Sequence, residues 1–559
     1  MRILLLCSAF NGLSQRAWTT LRARGHHVTV HVVHDPDTIP GAAAAARPDL
    51  IVCPFLRHRV PDAVWRAHRT IIIHPGPPGD RGPSSLDWAI MDGERRWGVT
   101  ALQATGDLDA GPVWASRTFA MPAEPPRKST LYNGEVADAA VDLIAEVVTK
   151  AGDPGFAPRD HDRAGIVGRS RPPVRQPDRC FSWDDETGHI LRRIRAADGR
   201  PGVHTMLAGV PVAVFDAHPG TVTPGEPGTI AARRHGAVLV RTGDGAVWVG
   251  HARRLSPGPS VKLPATQVLG RALAGVPEVL EPLETDQPSG PREIAYRRQD
   301  DVGLLRFDFY NGTMSTAQCR RLTAALRYAA AQDTRVLVLA GGEVFANGIH
   351  LGAIEAHPNP AAETWRNITA INDLCREIIT CTGQVVVSAL AGGAGAGGVM
   401  LALGADVVLA RDGIVLNPHY ETMGLYGSEY WTYVLPRRVG EAQSRLLTSR
   451  CEPVSAGEAA ALGMVDEVLP ADRQRFPGAV LERAAELAAG SDALLQRKRA
   501  DREADEQRRP LETYRVRELA EMSHDIFEDR HGFAAARRAF LHPAAPAPAA
   551  RRPALLTGG

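Results

Sequence analysis

Along the first 165 residues, short, mainly apolar runs fall at 2–7, 28–33, 50–53 and 70–73, and stretches with helical spacing, such as 14–24, lie between them. Runs of four to six apolar residues read as strands buried on both faces, and their alternation with helices predicts βα units on a largely parallel sheet. From about 166 to 285 the texture changes. Short strand-like runs in PGVHTM, VPVAVFDAHPG and HGAVLVRTGDGAVWVG are separated by glycine and proline turns and preceded by one helix near 188–197. That pattern predicts a small β-rich domain. SPGPSVKLP and LETDQPSGPRE read as connectors. Strands and helices return from 286, with helix-rich sequence over 454–540. The expected organisation is an α/β chain with domains at 1–165, 166–285 and 286–542, followed by a disordered tail at 543–559 whose composition is mostly alanine and proline.

Two apolar segments need a decision. The opening MRILLLCSAF runs straight into a helical pattern, so it reads as a first buried strand and not as a leader. The segment 385–405 is uncharged and nominally long enough to span a bilayer. It carries five glycines between Gly392 and Gly398 and lacks aromatic or basic anchors. A strand, a glycine loop and a buried helix are expected there. The 64 lysines and arginines balance 63 acids, a net charge of +1, which gives no pull toward nucleic acid or an anionic membrane. Seven scattered cysteines without a CxxC pair fit free thiols in a cytoplasmic protein and argue against a metal site.

Candidate chemistry begins at IIIHPGPPGDRG, where an apolar run ends in His74. Ligands bind outside the carboxyl ends of parallel strands, so this imidazole is placed at a site edge. Some 35 residues on, GVTALQATGDLDAGPVWA supplies Asp107 and Asp109 after another strand-like run. A histidine and an aspartate on neighbouring loops can form an acid–base pair. The order strand, His-Pro, turn, Arg-Gly, then Leu-Asp-x-Gly resembles the formyltransferases that use 10-formyltetrahydrofolate. That resemblance implies catalytic roles for His74 and Asp109 and a folate pocket that includes Arg81 and the first loop, with Asn11 and Gln15. It also implies a Rossmann-like sheet domain. The β-rich segment is similar to the small C-terminal domain of methionyl-tRNA formyltransferase, implying an OB-like fold; Ile194-Arg195-Ala196 and Arg200-Pro201-Gly202 carry the likeness. Ile72 stands where that family has an asparagine that helps hold the oxyanion. Asn11, Gln15 and Gln103 are the candidate substitutes.

The second half has its own constellation. A strand and glycine turn at 337–349 are followed by VVVSALAGGAGAGGVMLALGADVVLA. Glycine permits close backbone approach, and a helix start offers free N–H groups. In this order the pair resembles the crotonase (enoyl-CoA hydratase/isomerase) superfamily, and 436–470 matches its helical continuation. The resemblance implies coenzyme A as cofactor and an oxyanion hole from the backbone N–H groups of Ile349 and Gly397. The two glutamates of hydratases are missing: Met400 takes the first place, and His419 or Tyr420 the second. Alkene hydration needs a carboxylate acid–base pair, so it is not expected. GSEYWT (427–432) puts bulk and charge where the acyl chain would run. A pocket for a very small acyl group is expected, with Glu429, Tyr420 and His419 as its polar groups.

The fusion, on HPGPPGDRGPSSLDWAI and NPHYETMGLYGSEYWTYVLPRRVG, resembles a family of NiFe-hydrogenase maturation factors. That implies transfer of formyl from 10-formyltetrahydrofolate to CoA, then splitting of formyl-CoA into carbon monoxide and CoA, with hydrogenase maturation proteins as partners. The alternatives are a formyl-folate enzyme fused to a CoA enzyme for longer acyl chains, or a non-catalytic folate- and CoA-sensing scaffold.

Overall fold

The computed structural model describes residues 1–160, 168–221, 225–256, 260–285 and 290–542. The tail expected at 543–559 and part of each connector, 257–259 and 286–289, lie outside the described residues. The chain divides into two compact units, Met1–Leu280 and a second that begins at Glu281.

In the first unit the expected strands form β1 (Arg2–Cys7), β2 (His27–Val32), β3 (Leu50–Phe55) and β4 (Thr70–His74), joined by β5 (Arg96–Gln103) and β6 (Val113–Ala120). The sheet order is β2-β1-β3-β4-β5-β6. The first four strands are mutually parallel, whereas β5 runs antiparallel to both β4 and β6. The sheet is therefore mixed: the short loop from β5 to β6 is too short for a helical crossover and forces a reversal. Alternate residues of β1 serve opposite faces. Ile3, Leu5 and Cys7 pack under the helices Gly12–Ala23 and Ala137–Ala151, while Leu4 and Leu6 pack with Ile39, Ala43 and Val64.

The β-rich segment forms β7 (Val203–Leu207), β8 (Val210–Gly220), β9 (Ile230–Arg234), β10 (Ala237–Arg241), β11 (Ala246–Arg254) and β12 (Leu263–Pro264). Its order is β7-β8-β11-β10-β9, with β12 on β11, and every pairing is antiparallel. The helix Thr187–Ala196 covers it through Ile190, Leu191 and Ile194. Polar contacts tie this sheet to the first. Asp87 accepts from Lys128 and from the buried Arg179, and Asp216 accepts from Arg127, His218 and His251.

The second unit is built on β13 (Ile294–Gln299), β14 (Val302–Phe307), β15 (Val336–Gly341), β16 (Val385–Leu390), β17 (Ala394–Gly395), β18 (Val407–Arg411), β19 (Val415–Asn417), β20 (Val454–Ser455) and β21 (Glu467–Leu469). One sheet runs β13-β14-β15-β16-β18-β21, parallel except for the first hairpin; a smaller one runs β17-β19-β20. The apolar segment 385–405 becomes β16, the glycine loop and the helix Gly397–Leu403, as expected. No helix among the described residues is long and apolar enough to cross a membrane. Four helices close the unit: Phe476–Ala489, Ser491–Arg508, Leu511–Phe527 and Phe533–Leu541.

Candidate active sites

In the first unit β4 carries His74 to the end of the parallel half of the sheet, where it is 4% exposed. Its Nδ1 lies 3.5 Å from Asp109 Oδ1, bringing the two sequence-identified residues together. Its Nε2 lies 2.8 Å from Oδ2 of Asp80, a residue that sequence reasoning missed. The turn between them is held through its carbonyls: Ser85 Oγ and Trp97 Nε1 donate to Pro75 O, and Thr100 Oγ1 donates to Gly76 O at 2.8 Å. Gly76 must be glycine here, because a Cβ would lie 2.6 Å from His74 Nε2. Asp109 sits at φ +52°, and its Oδ2 accepts the Gly82 N–H at 3.2 Å. Asp107 stays in the exposed loop, its carbonyl accepting from Thr105.

The other folate-side candidates are engaged locally. Asn11 Oδ1 accepts the Ser14 N–H and caps the helix Gly12–Ala23, and Gln15 Nε2 donates to Phe10 O. Gln103 Oε1 accepts from Trp114 Nε1. None of these three amides bonds His74 among the described residues. Arg81 contributes main chain: its N–H donates to Arg169 O and its carbonyl accepts from Arg171 N–H. Ile72 packs into the apolar cluster around Ile51 and Cys53.

In the second unit the loop beyond β15 turns at Gly348 (φ +76°), where the carbonyl accepts the Met314 N–H at 2.9 Å. A Cβ at Gly348 would lie 3.4 Å from Gly397 N, so the two glycine loops meet there. Gly397 opens the helix Gly397–Leu403, whose first N–H groups have no intrahelical partner. Among the described residues neither the Ile349 nor the Gly397 N–H has a hydrogen-bond acceptor. Two such donors side by side can hold a developing oxyanion. Met400 is fully buried in the same helix.

Glu429 faces this point. A Cβ at Gly397 would lie 2.5 Å from Glu429 Cδ, so only glycine leaves room for the carboxyl. Glu429 is 3% exposed and accepts from the Tyr420 hydroxyl at 2.9 Å. Among the described residues no cation pairs with it. Removing a carboxylate from water costs several kcal/mol, and one hydrogen bond to a charged group returns about 1.5–3 kcal/mol. Burial wins: it pushes the Glu429 carboxyl above its ordinary range, against the pull of the Tyr420 bond. Burial, reinforced by the Glu429 charge, also holds Tyr420 well above the ordinary phenol range. His419 stands apart from this pair. Its Nδ1 lies 2.8 Å from Asn417 O and its Cε1 faces Gly395. Burial lowers its titration, with the Asn417 carbonyl opposing.

What aims Glu429 lies far away in sequence. Glu429 and Tyr430 are consecutive left-handed residues, φ +63° and +58°, a conformation that costs non-glycine residues energy. The backbone there is held from both sides. Glu429 N–H donates to Asn372 Oδ1 at 2.7 Å, and Tyr430 N–H and Thr432 N–H donate to Glu518 at 2.9 and 2.8 Å. The fully buried Glu518 thereby caps the helix Trp431–Val439 from outside. Burial pushes its carboxyl up to about 8, with the Thr432 bonds opposing and Glu429 adding to the rise. Seven residues further along the helix Leu511–Phe527, the fully buried Asp525 accepts the Tyr426 N–H at 2.7 Å. No local signal in the sequence points from Glu518 or Asn372 to this site.

Comparisons with known proteins agree with this two-part layout. Residues 304–541 match the family described as enoyl-CoA hydratase/isomerase, and 173–258 match the formyl transferase C-terminal domain. The methionyl-tRNA formyltransferase of Carboxydothermus hydrogenoformans is 28% identical over 29% of this chain and 52% of its own length. The hydrogenase maturation factor HoxX of Bradyrhizobium diazoefficiens is 44% identical over the whole of this chain and 97% of its own. Among solved structures, HypX from Aquifex aeolicus in complex with tetrahydrofolic acid superimposes with a TM-score of 0.93 at 40% identity, covering 97% of this chain and 96% of that one. A formyltransferase-like unit and a crotonase-like unit, matched end to end at this identity, show that the chain belongs to the HypX/HoxX family of hydrogenase maturation factors.

Proposed function

We propose that this chain makes carbon monoxide for the NiFe-hydrogenase active site in two steps, formyl transfer from 10-formyltetrahydrofolate to CoA and then decarbonylation of formyl-CoA. The observation that carries the reading is the Glu429 carboxyl pressed against Gly397 beside two N–H groups that have no acceptor among the described residues. We read this arrangement as a site for a very small acyl group. At the first site His74 gives a proton to the folate nitrogen as the carbon–nitrogen bond breaks, with Asp109 orienting the ring. At the second, Ile349 and Gly397 hold the formyl oxygen and Glu429 removes the formyl hydrogen as the thiolate leaves. The proton then passes to sulfur, giving CO and CoA–SH, and Tyr420 holds the carboxyl in place. The raised Glu429 carboxyl suits a base working near neutrality. Folate binding by the Aquifex relative supports the donor. Other proteins of hydrogenase maturation would receive the product.

The test supplies 10-formyltetrahydrofolate labelled with heavy carbon at the formyl group, CoA, and haemoglobin as a trap. Labelled carbon monoxide is the expected product and requires CoA. Label found only in formate would overturn the reading in favour of hydrolysis.

A further inference from the structure

His74 is flanked by two carboxylates whose settings differ. Asp109 lies at the longer distance, 3.5 Å, and its side chain is 17% exposed; Asp80 lies at 2.8 Å and is 4% exposed. Both ring nitrogens thus face a carboxylate oxygen. Behind Asp80 is a cavity of about 190 Å³ that Asp80 lines and His74 does not. Its wall is charged and aromatic, including Trp88 and the ion pairs Arg171–Asp92 and Arg169–Glu94. At about 30 Å³ per molecule the volume admits several waters. Two glycines keep Asp80 in place: a Cβ at Gly76 or at Gly168 would collide with it.

We propose that Asp80 is a positioning residue for formyl transfer, holding the Nε2–H of His74, from a place beside that cavity, so that Nδ1 serves the folate nitrogen. The inference rests on the formyl-transfer reading of His74. The thiol of CoA gives its proton to water and its sulfur forms the carbon–sulfur bond. The carbon–nitrogen bond breaks with its electron pair on the folate nitrogen, which takes the proton from His74 on the Asp109 side. Asp80 keeps the proton on Nε2 while the proton given up by the thiol returns through water to Nδ1 on the partly exposed Asp109 side, so the sum is CoA–SH plus formyl amide giving formyl thioester plus secondary amine.

The experiment measures CoA-dependent release of tetrahydrofolate by the full chain carrying Asp80→Asn, Asp80→Ala or His74→Ala, with tetrahydrofolate binding as the check on the fold. Both Asp80 variants should lose about 30-fold or more in kcat, with KM for the formyl donor within about threefold of the unmodified protein. Sodium acetate, and not sodium chloride at equal ionic strength, should restore Asp80→Ala about tenfold, because a small carboxylate can occupy the emptied side of the cavity. Wild-type turnover by Asp80→Asn would overturn the assignment, as would loss of tetrahydrofolate binding without any response to acetate, which would make Asp80 a builder of the turn alone. His74→Ala separates the two claims. If it transfers formyl at full rate, the formyl-transfer reading itself fails. If it is inactive while Asp80→Asn is not, only Asp80's role falls.

Discussion

The two candidate sites handle charge in opposite ways. In the first unit a histidine sits between two carboxylates, both supplied within 36 residues of chain. In the second a carboxyl sits with a tyrosine hydroxyl and, among the described residues, no cation, held by groups from Asn372 to Glu518. The first site gathers its ionisable groups from one short stretch of chain and keeps one face partly open. The second uses dehydration to raise a carboxyl, and dehydration needs a whole tertiary shell. On the proposed reading, a proton donor toward a leaving nitrogen is served by paired carboxylates and a base toward a formyl hydrogen by one with no cation among the described residues.

The largest effect should come from breaking the first site. His74→Ala should lower formyl transfer by about a thousandfold, and Asp109→Asn by about a hundredfold, while supplied formyl-CoA is still broken down at the original rate. Tetrahydrofolate release and carbon monoxide yield, measured separately, check this. The mirror experiment is Glu429→Gln. It should cut carbon monoxide release by about a hundredfold without slowing tetrahydrofolate release, so that formyl-CoA, or formate from its hydrolysis, accumulates. An unchanged carbon monoxide yield would move the base to His419 or Tyr420.

Gly397→Ala sharpens the same contrast by geometry alone. The added methyl collides with the Glu429 carboxyl, and displacement of about 1 Å is worth up to about a hundredfold in rate. Mass-spectrometric detection of formyl-CoA should show the same accumulation. The smallest effect is thermodynamic and concerns Glu518. Its carboxyl is raised to about 8 in the fold, so the neutral form is the better tolerated one. Stability linked to it is full below the unfolded value near 4.5 and is lost as pH rises toward about 8. The midpoint of thermal unfolding of Glu518→Gln, compared with the unmodified chain, should therefore move in the variant's favour by a few degrees from about pH 5 to about pH 8 and then level off. A difference independent of pH would show that Glu518 is not titrating there.

Much was legible before any coordinates. The four apolar runs of the first unit, the β-rich change of texture and the strand–glycine–helix segment at 385–405 follow from periodicity, because burial on a fixed repeat leaves a mark in the sequence. His74 could be placed because a strand end is a local feature, and Asp109 because it lies on the next loop of the same sheet edge. Ile349 and Gly397 were named through the crotonase resemblance of the two glycine loops, which the structure brings together.

Three things were decided by tertiary structure alone. The antiparallel edge of the first sheet depends on β5 pairing beside β4, a choice among strands that no single strand encodes. Asp80 was not singled out, since its contact with His74 depends on how the turn folds back over Gly76. Glu518 and Asn372 lie 89 and 57 residues from Glu429, on separate helices, and they meet its backbone only when those helices pack. Periodicity and turn chemistry record each residue's relation to its neighbours in the chain. The dehydration of Glu429, and the hydrogen bonds that hold two left-handed residues in line, are relations across the fold, fixed by packing and written in no local pattern.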